Sequence, residues 1–85
     1  MEQQVEKFNL SVFPNPSGSN VSVSFSKNIS KGELQLYNYL GEIVLSERVV
    51  NTGFVMLETE KLVKGIYLLK FVGVSDSGVE RVVIE

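Results

Sequence analysis

The residue types that most often perform enzyme chemistry are scarce in this chain. It contains no Cys and no His, and Asp occurs once, at Asp76. Without thiols or imidazoles, the chain cannot form a Ser-His-Asp or Cys-His catalytic arrangement, and it lacks the usual ligands of transition metals.

Glu is plentiful, so a carboxylate pair like that of glycoside hydrolases must be considered. The candidates are Glu33, Glu42, Glu47, Glu58, Glu60 and Glu80. Most of them stand at strand ends beside turns, which favours a solvated rim over a catalytic pair. Ser75-Asp76-Ser77-Gly78 offers one carboxylate where Ca²⁺ needs several, and is predicted to be a plain hairpin turn. The sequence therefore predicts a protein that is not an enzyme and has no metal or cofactor.

Size and charge limit the classes of partner that this chain can bind. The 85 residues are 44% apolar and allow one small core. A net charge of −2 lacks the basic footprint that nucleic acids require. The longest apolar run, residues 66–69, is far too short for a transmembrane helix. Residues 1–7 are polar and are not expected to act as a signal peptide.

Alternation of apolar and polar residues predicts an all-β fold. Val21, Val23 and Phe25 alternate with serines, which places the three apolar side chains on one face of a strand. Turn signals such as Lys64-Gly65 separate similar segments at regular intervals, the pattern of a sandwich or barrel. Seven strands are predicted, at residues 10–13, 20–26, 33–38, 42–49, 54–58, 66–74 and 79–84.

The same pattern predicts the core and one short turn. The predicted core comprises Val21, Val23, Phe25, Leu34, Leu36, Val44, Leu62, Tyr67, Leu69 and Phe71. Residues 59–64 are expected to form a single turn that places Leu62 against the core. The strand at residues 66–74 is apolar on both faces, so it is either central in its sheet or covered by another molecule.

One binding function remains open from the residues alone. Tyr37, Tyr39 and Phe54 could form an aromatic platform on which a sugar stacks, as in carbohydrate-binding or adhesive sandwich modules. Aromatic side chains in strands more often pack in the core or across strands, so this is the alternative hypothesis.

The order of four motifs resembles a known family. Phe13-Pro14-Asn15-Pro16 is followed by Leu-Tyr-Asn-Tyr-Leu-Gly-Glu-Ile-Val at 36–44, Leu-Val-Lys-Gly-Ile-Tyr-Leu-Leu-Lys-Phe at 62–71, and a β-rich end. Together they resemble a type A C-terminal sorting domain of the Bacteroidetes type IX (Por) secretion system. The resemblance covers residues 10–85, and residues 1–9 are interpreted as a linker or added residues.

This resemblance implies an immunoglobulin-like antiparallel β-sandwich that serves as a secretion signal. The implied partners are the type IX machinery, with its outer-membrane translocon, and a cargo fused on the N-terminal side. The protein would be exported through the periplasm to the cell surface or the medium. A sortase-like protease removes the domain in family members whose cargo is anchored to the surface.

The implied recognition residues are Pro14, Asn15, Pro16, Gly41, Gly65, Tyr67, Glu80, Arg81, Val82, Val83, Ile84 and Glu85. The prolines and glycines are expected to shape corners of the fold. Family members commonly end in a Lys-rich tail, whereas this sequence closes with Val83-Ile84-Glu85. The irregular apolar pattern of the last strand predicts an edge strand to which a receptor could add its own strand, unless Val82 and Ile84 complete the core.

Overall fold

The computed structural model describes residues 8–14 and 19–85. Five strands lie in this part of the chain: β1 (Leu10–Phe13), β2 (Asn20–Tyr37), β3 (Ile43–Glu58), β4 (Gly65–Gly73) and β5 (Ser77–Ile84). They form one antiparallel sheet. The all-β prediction is therefore confirmed. No helix that could span a membrane occurs in the residues described.

β2 is the centre of the sheet because it pairs with three other strands. Its first half pairs with β1, from Phe25 opposite Leu10 to Ser22 opposite Phe13. Its second half pairs with β4, and β5 lies beyond β4. β3 runs along the other side of β2 and pairs with both halves.

The sheet curls because β2 and β3 bend together. Four residues of β2, between Ser24 and Ile29, face a single residue of β3, which is a wide bulge. At the same level Asn51 of β3 has a φ of 47°. Phe25 and Leu34 would lie about 30 Å apart on a straight strand. The ring of Phe25 nevertheless lies 4.9 Å from that of Phe71, the partner of Leu34.

Seven separate strands are not what the structure shows. The predicted breaks at residues 30–32 and 51–53 lie inside β2 and β3, which continue through them. These turn-prone residues bend the two strands without ending them, because cross-strand pairing resumes beyond the bulge. The other predicted turns do separate strands. The result is a curled sheet with two arms, one formed by β1 and the adjoining halves of β2 and β3, the other containing β4 and β5.

The two arms enclose one core. Of the predicted core residues, those confirmed as buried are Val21, Val23, Phe25, Leu34, Leu36, Tyr67, Leu69 and Phe71. Leu62 is half-buried and packs against the core from a turn, as predicted. Val44 was predicted wrongly: it is exposed, because it lies at an irregularity where β3 loses register with Leu36 and Tyr37. The prediction missed Leu10, Ile29, Val49 and Leu57, and burial of Val82 and Ile84 agrees with the alternative that they complete the core.

Phe71 is the central side chain of this core. Its ring contacts those of Phe25 and Phe8, with centroids 4.9 and 5.6 Å away. Phe8, which the sequence analysis assigned to a linker, therefore packs with the domain. On its other side the ring lies over Gly32 and Gly73, which are partners across β2 and β4. A Cβ at Gly32 would lie 2.5 Å from Cε1 of Phe71.

We expect Gly32→Ala to destabilise the domain by about 1–3 kcal/mol, because the added methyl group forces the buried Phe71 ring out of its position. Gly53→Ala is the matched control, since its new Cβ would come no closer than 3.7 Å to any heavy atom beyond its chain neighbours. Urea unfolding of the three proteins measures the difference. Equal free energies of unfolding for Gly32→Ala and the wild type would show that the ring is not confined there.

Candidate functional site

The turn between β2 and β3 is held by one side chain, that of Asn38. Its Oδ1 accepts hydrogen bonds from the backbone N–H groups of Leu40 and Glu42, at 2.9 and 3.0 Å. Its Nδ2 donates to Oε1 of Glu42 at 2.9 Å. The backbone of Asn38 also bonds to Gly41 and Glu42. Five hydrogen bonds therefore fix the conformation of residues 39–41, the three residues between Asn38 and Glu42.

Gly41 has the backbone geometry that this turn requires. Its φ of 82° lies in the left-handed region, which closes a three-residue hairpin loop and which glycine adopts without strain. Tyr39 and Leu40 at the tip are 85% and 66% exposed. The turn thus holds two large apolar side chains in solvent on a rigid support.

A second loop, residues 59–65, stands beside this turn. The hydroxyl of Tyr67 donates a hydrogen bond to the carbonyl oxygen of Val63, which ties the loop to β4. Leu62 closes the turn by donating its N–H to the carbonyl of Thr59 at 3.0 Å. Gly65, with a φ of 154°, joins the loop to the strand in a conformation that side chains disfavour. Gly65 and Tyr67 therefore both take part in holding this loop against β4.

A groove of about 380 Å³ lies between the turn and the loop. Tyr39, Val44, Val63 and Ile66 supply most of its apolar lining. Its charged lining residues are Lys61 and Lys64. This shape suits the contact of a peptide or protein surface better than the enclosure of a small substrate.

The terminal strand β5 reaches the same end of the domain. Ile84 pairs with Gly65, and Val82 pairs with Tyr67. Val82 and Ile84 are buried, so their side chains complete the core. Val83 is half-buried, whereas the side chains of the three charged residues, Glu80, Arg81 and Glu85, are exposed.

The proline motif is only partly described. Pro14 is exposed, follows a cis peptide bond and lies at the end of β1 on the other arm of the sheet. Asn15 and Pro16 lie outside the described residues. The structure thus brings Gly41, Gly65, Tyr67 and the terminal strand to one end of the domain and places Pro14 elsewhere.

The three aromatic residues of the alternative hypothesis lie on different elements of the fold. Phe54 pairs with Ser24, and its ring lies 6.4 Å from that of Phe13 on the outer side of the first arm. Tyr37 belongs to the other arm, where its hydroxyl donates to Oε1 of Gln35 at 2.7 Å. Tyr39 lies at the exposed tip of the turn after β2. Stacking of a sugar on these rings stays an alternative hypothesis.

The carboxylates were the other candidates for chemistry. No group of three or more Asp and Glu residues able to hold a metal ion is found among residues 8–14 and 19–85. Asp76 instead forms an ion pair with Lys27 at 2.7 Å, linking the turn before β5 to the bulge of β2. Both side chains are accessible to water, so this pair contributes little to stability.

Two features of this site were not predicted from the sequence: the role of Asn38 in the turn, and the groove. A signal for Asn38 was available, since Asn three residues before Gly is common in tight turns. The groove had none, because it joins a turn between two strands to a loop more than 20 positions later.

The geometry defines a class of protein, a small all-β domain in which turns, a loop and the terminal strand meet at one end. Domains that other proteins recognise present surfaces of this kind. The chain belongs to the secretion system C-terminal sorting domain family, whose model matches residues 11–85. This match confirms the resemblance to the type IX sorting domains. No match to this chain is found among curated proteins.

We expect Gly41→Val to lower the free energy of unfolding by about 1–2 kcal/mol, because a β-branched residue is strained at a positive φ. A Cβ at position 41 would have no heavy atom within 4 Å beyond its chain neighbours, so we expect the cost to come from the backbone. Gly41→Asn is the matched control, since Asn tolerates this conformation better. Thermal unfolding measures both, and a Gly41→Val protein as stable as Gly41→Asn would contradict the assigned role of φ.

Proposed function

We propose that this domain directs the protein that carries it across the outer membrane through the type IX secretion machinery. The supporting observation is the family match, which extends over nearly the whole chain. The rigid Asn38 turn and the adjoining groove are consistent with a surface that a protein reads. In this proposal the domain acts as an address for its cargo and catalyses nothing.

The proposal includes a route and a fate for the cargo. The cargo, fused before residue 10, passes through the periplasm and reaches the cell surface or the medium. A sortase-like protease removes the domain where the cargo is anchored. The curled sheet represents, in this view, an immunoglobulin-like arrangement in which bent strands replace pairs of separate strands.

We also propose separate roles for the motif residues. Pro14, Asn15, Pro16, Gly41 and Gly65 shape corners, and Tyr67 ties the loop to β4. Residues 80–85 form the terminal strand close to which the machinery binds. Burial of Val82 and Ile84 makes this strand part of the folded domain as well.

Export of a reporter tests the proposal directly. The full 85 residues are fused after a reporter that carries its own inner-membrane export signal, in a bacterium that secretes through the type IX system. We expect the reporter in the medium or on the surface, and in the periplasm when the domain is omitted or the machinery is disabled. Export that persists without the machinery would refute the proposal.

The terminal strand allows a second test with the same reporter. Deletion of residues 80–85 removes two buried core side chains, so we expect both folding and export to be lost. Replacement of Glu80, Arg81 and Glu85 by Ser changes exposed side chains only. We expect that variant to melt within a few degrees of the wild type and to be exported. Loss of export from this folded triple variant would show that the terminal charges themselves are read.

A further inference from the structure

β4 presents an apolar outer face although it lies inside the sheet. It is flanked by β2 and β5, and its inward residues, among them Leu69 and Phe71, are buried. Ile66, Leu68 and Val72 point outward and are 56%, 50% and 46% exposed. A central position in the sheet thus accounts for only one of the two apolar faces of this strand.

Neighbouring strands extend this surface. By register, Tyr37 and Arg81 lie on either side of Leu68, and Val79 lies beside Lys70. We call the surface the β4 face and define it by Tyr37, Ile66, Leu68, Lys70, Val72, Val79 and Arg81. Next to it on β2, the Tyr37 hydroxyl bonds to Gln35, whose Nε2 donates to Glu33 at 2.9 Å. A row of hydrogen-bonded side chains therefore orders one border of the β4 face.

The charge of the β4 face is positive in a protein whose net charge is −2. Lys70 stands between Leu68 and Val72, and its register partners are Gln35 and Val79. Glu33 has the oppositely charged Arg48 across from it on β3. In the described part of the chain, no ion pair involves Lys70. A partner that covers this face must therefore bring a negative charge or bury an unmatched ammonium group.

We propose that the β4 face is the docking surface for a protein of the secretion machinery that presents apolar side chains around a carboxylate placed opposite Lys70. This inference rests on the proposed function and names the chemistry of the partner. Apolar contacts with Leu68, Ile66 and Val72 supply the binding, and the Lys70–carboxylate pair sets orientation and specificity.

Two other partners could cover the β4 face, a second copy of this domain or a lipid bilayer, and the charge of Lys70 argues against both. A second copy that packed through the same face would bring Lys70 close to its own counterpart. A bilayer would have to accommodate a broad sheet face with an ammonium group in its middle. A protein with a complementary carboxylate meets neither difficulty.

The first test compares two Asp substitutions at similarly exposed apolar residues. Leu68→Asp lies on the β4 face, whereas Met56→Asp lies on the outer side of the other arm, opposite Ser22. We expect Leu68→Asp to reduce reporter export by about tenfold or more, because a buried like charge is strongly unfavourable at a docked surface. Met56→Asp should be exported like the wild type.

The second test changes the charge alone. Lys70→Glu should reduce export to a similar degree, and Lys70→Arg should preserve it. A photoreactive p-benzoylphenylalanine at position 68 should form an adduct with a cell-envelope protein, which Lys70→Glu abolishes and Lys70→Arg retains. Circular dichroism and melting of the purified domains establish which variants are folded. If Leu68→Asp does not fold, the comparison of Lys70→Glu with Lys70→Arg tests the proposal, because the Lys70 side chain lies outside the core.

The outcomes separate this inference from the proposed function. If the wild-type domain does not export the reporter, the proposed function fails. If the wild type exports and folded Lys70→Glu exports equally well, the β4 face is not the docking surface. Sedimentation of the purified domain as a dimer that Lys70→Glu alters would assign the face to a second copy. Binding to phosphatidylglycerol vesicles that Lys70→Glu abolishes would assign it to a membrane. Either result overturns the proposed partner.

Discussion

The packing of Phe71 on the Gly32–Gly73 pair is the contact on which the rest of this structure depends. Two glycines facing each other across β2 and β4 leave a gap in the sheet that an aromatic ring can fill. The ring then meets Phe25 from the first arm and Phe8 from the chain before β1. A flat sheet of five strands could not bury this ring on its second side. Curling the sheet around the ring allows a single sheet to enclose a core.

The bending of the sheet also brings the Asn38 turn, the groove and the terminal strand together at one end of the domain. Because β2 and β3 bend together, the loop of residues 59–65 can lead from the end of β3 to the start of β4 beside the Asn38 turn. Gly65 then pairs with Ile84, which brings the terminal strand to the same place. A domain with one core can in this way offer a turn, a groove and a strand to a partner at once. Every one of these features depends on the fold and none on a reactive group.

This dependence shows how a sorting domain can present a specific surface through its fold. The residues that shape the site, such as Asn38, Gly41 and Tyr67, act through hydrogen bonds and backbone conformation. Discrimination between partners is then left to a few exposed side chains on a rigid support. In our proposal that task falls to Lys70, the charged residue among the exposed apolar residues of β4.

Local order in this protein follows from the sequence by itself. The alternation at residues 21–25 determines which side chains of β2 point inward, since the period of a strand is two. The absence of Cys and His excluded whole classes of chemistry, and the order of short motifs identified the family. The tertiary structure decided whether turn-prone residues end a strand or bend it. Residues 30–32 and 51–53 carry the signals of turns, yet β2 and β3 continue through them because pairing on both sides of the bulge outweighs local preference. The exposure of Val44 and the meeting of the groove residues depend on the same long-range pairing. Register between distant strands is set by the whole core, so no window of sequence contains it.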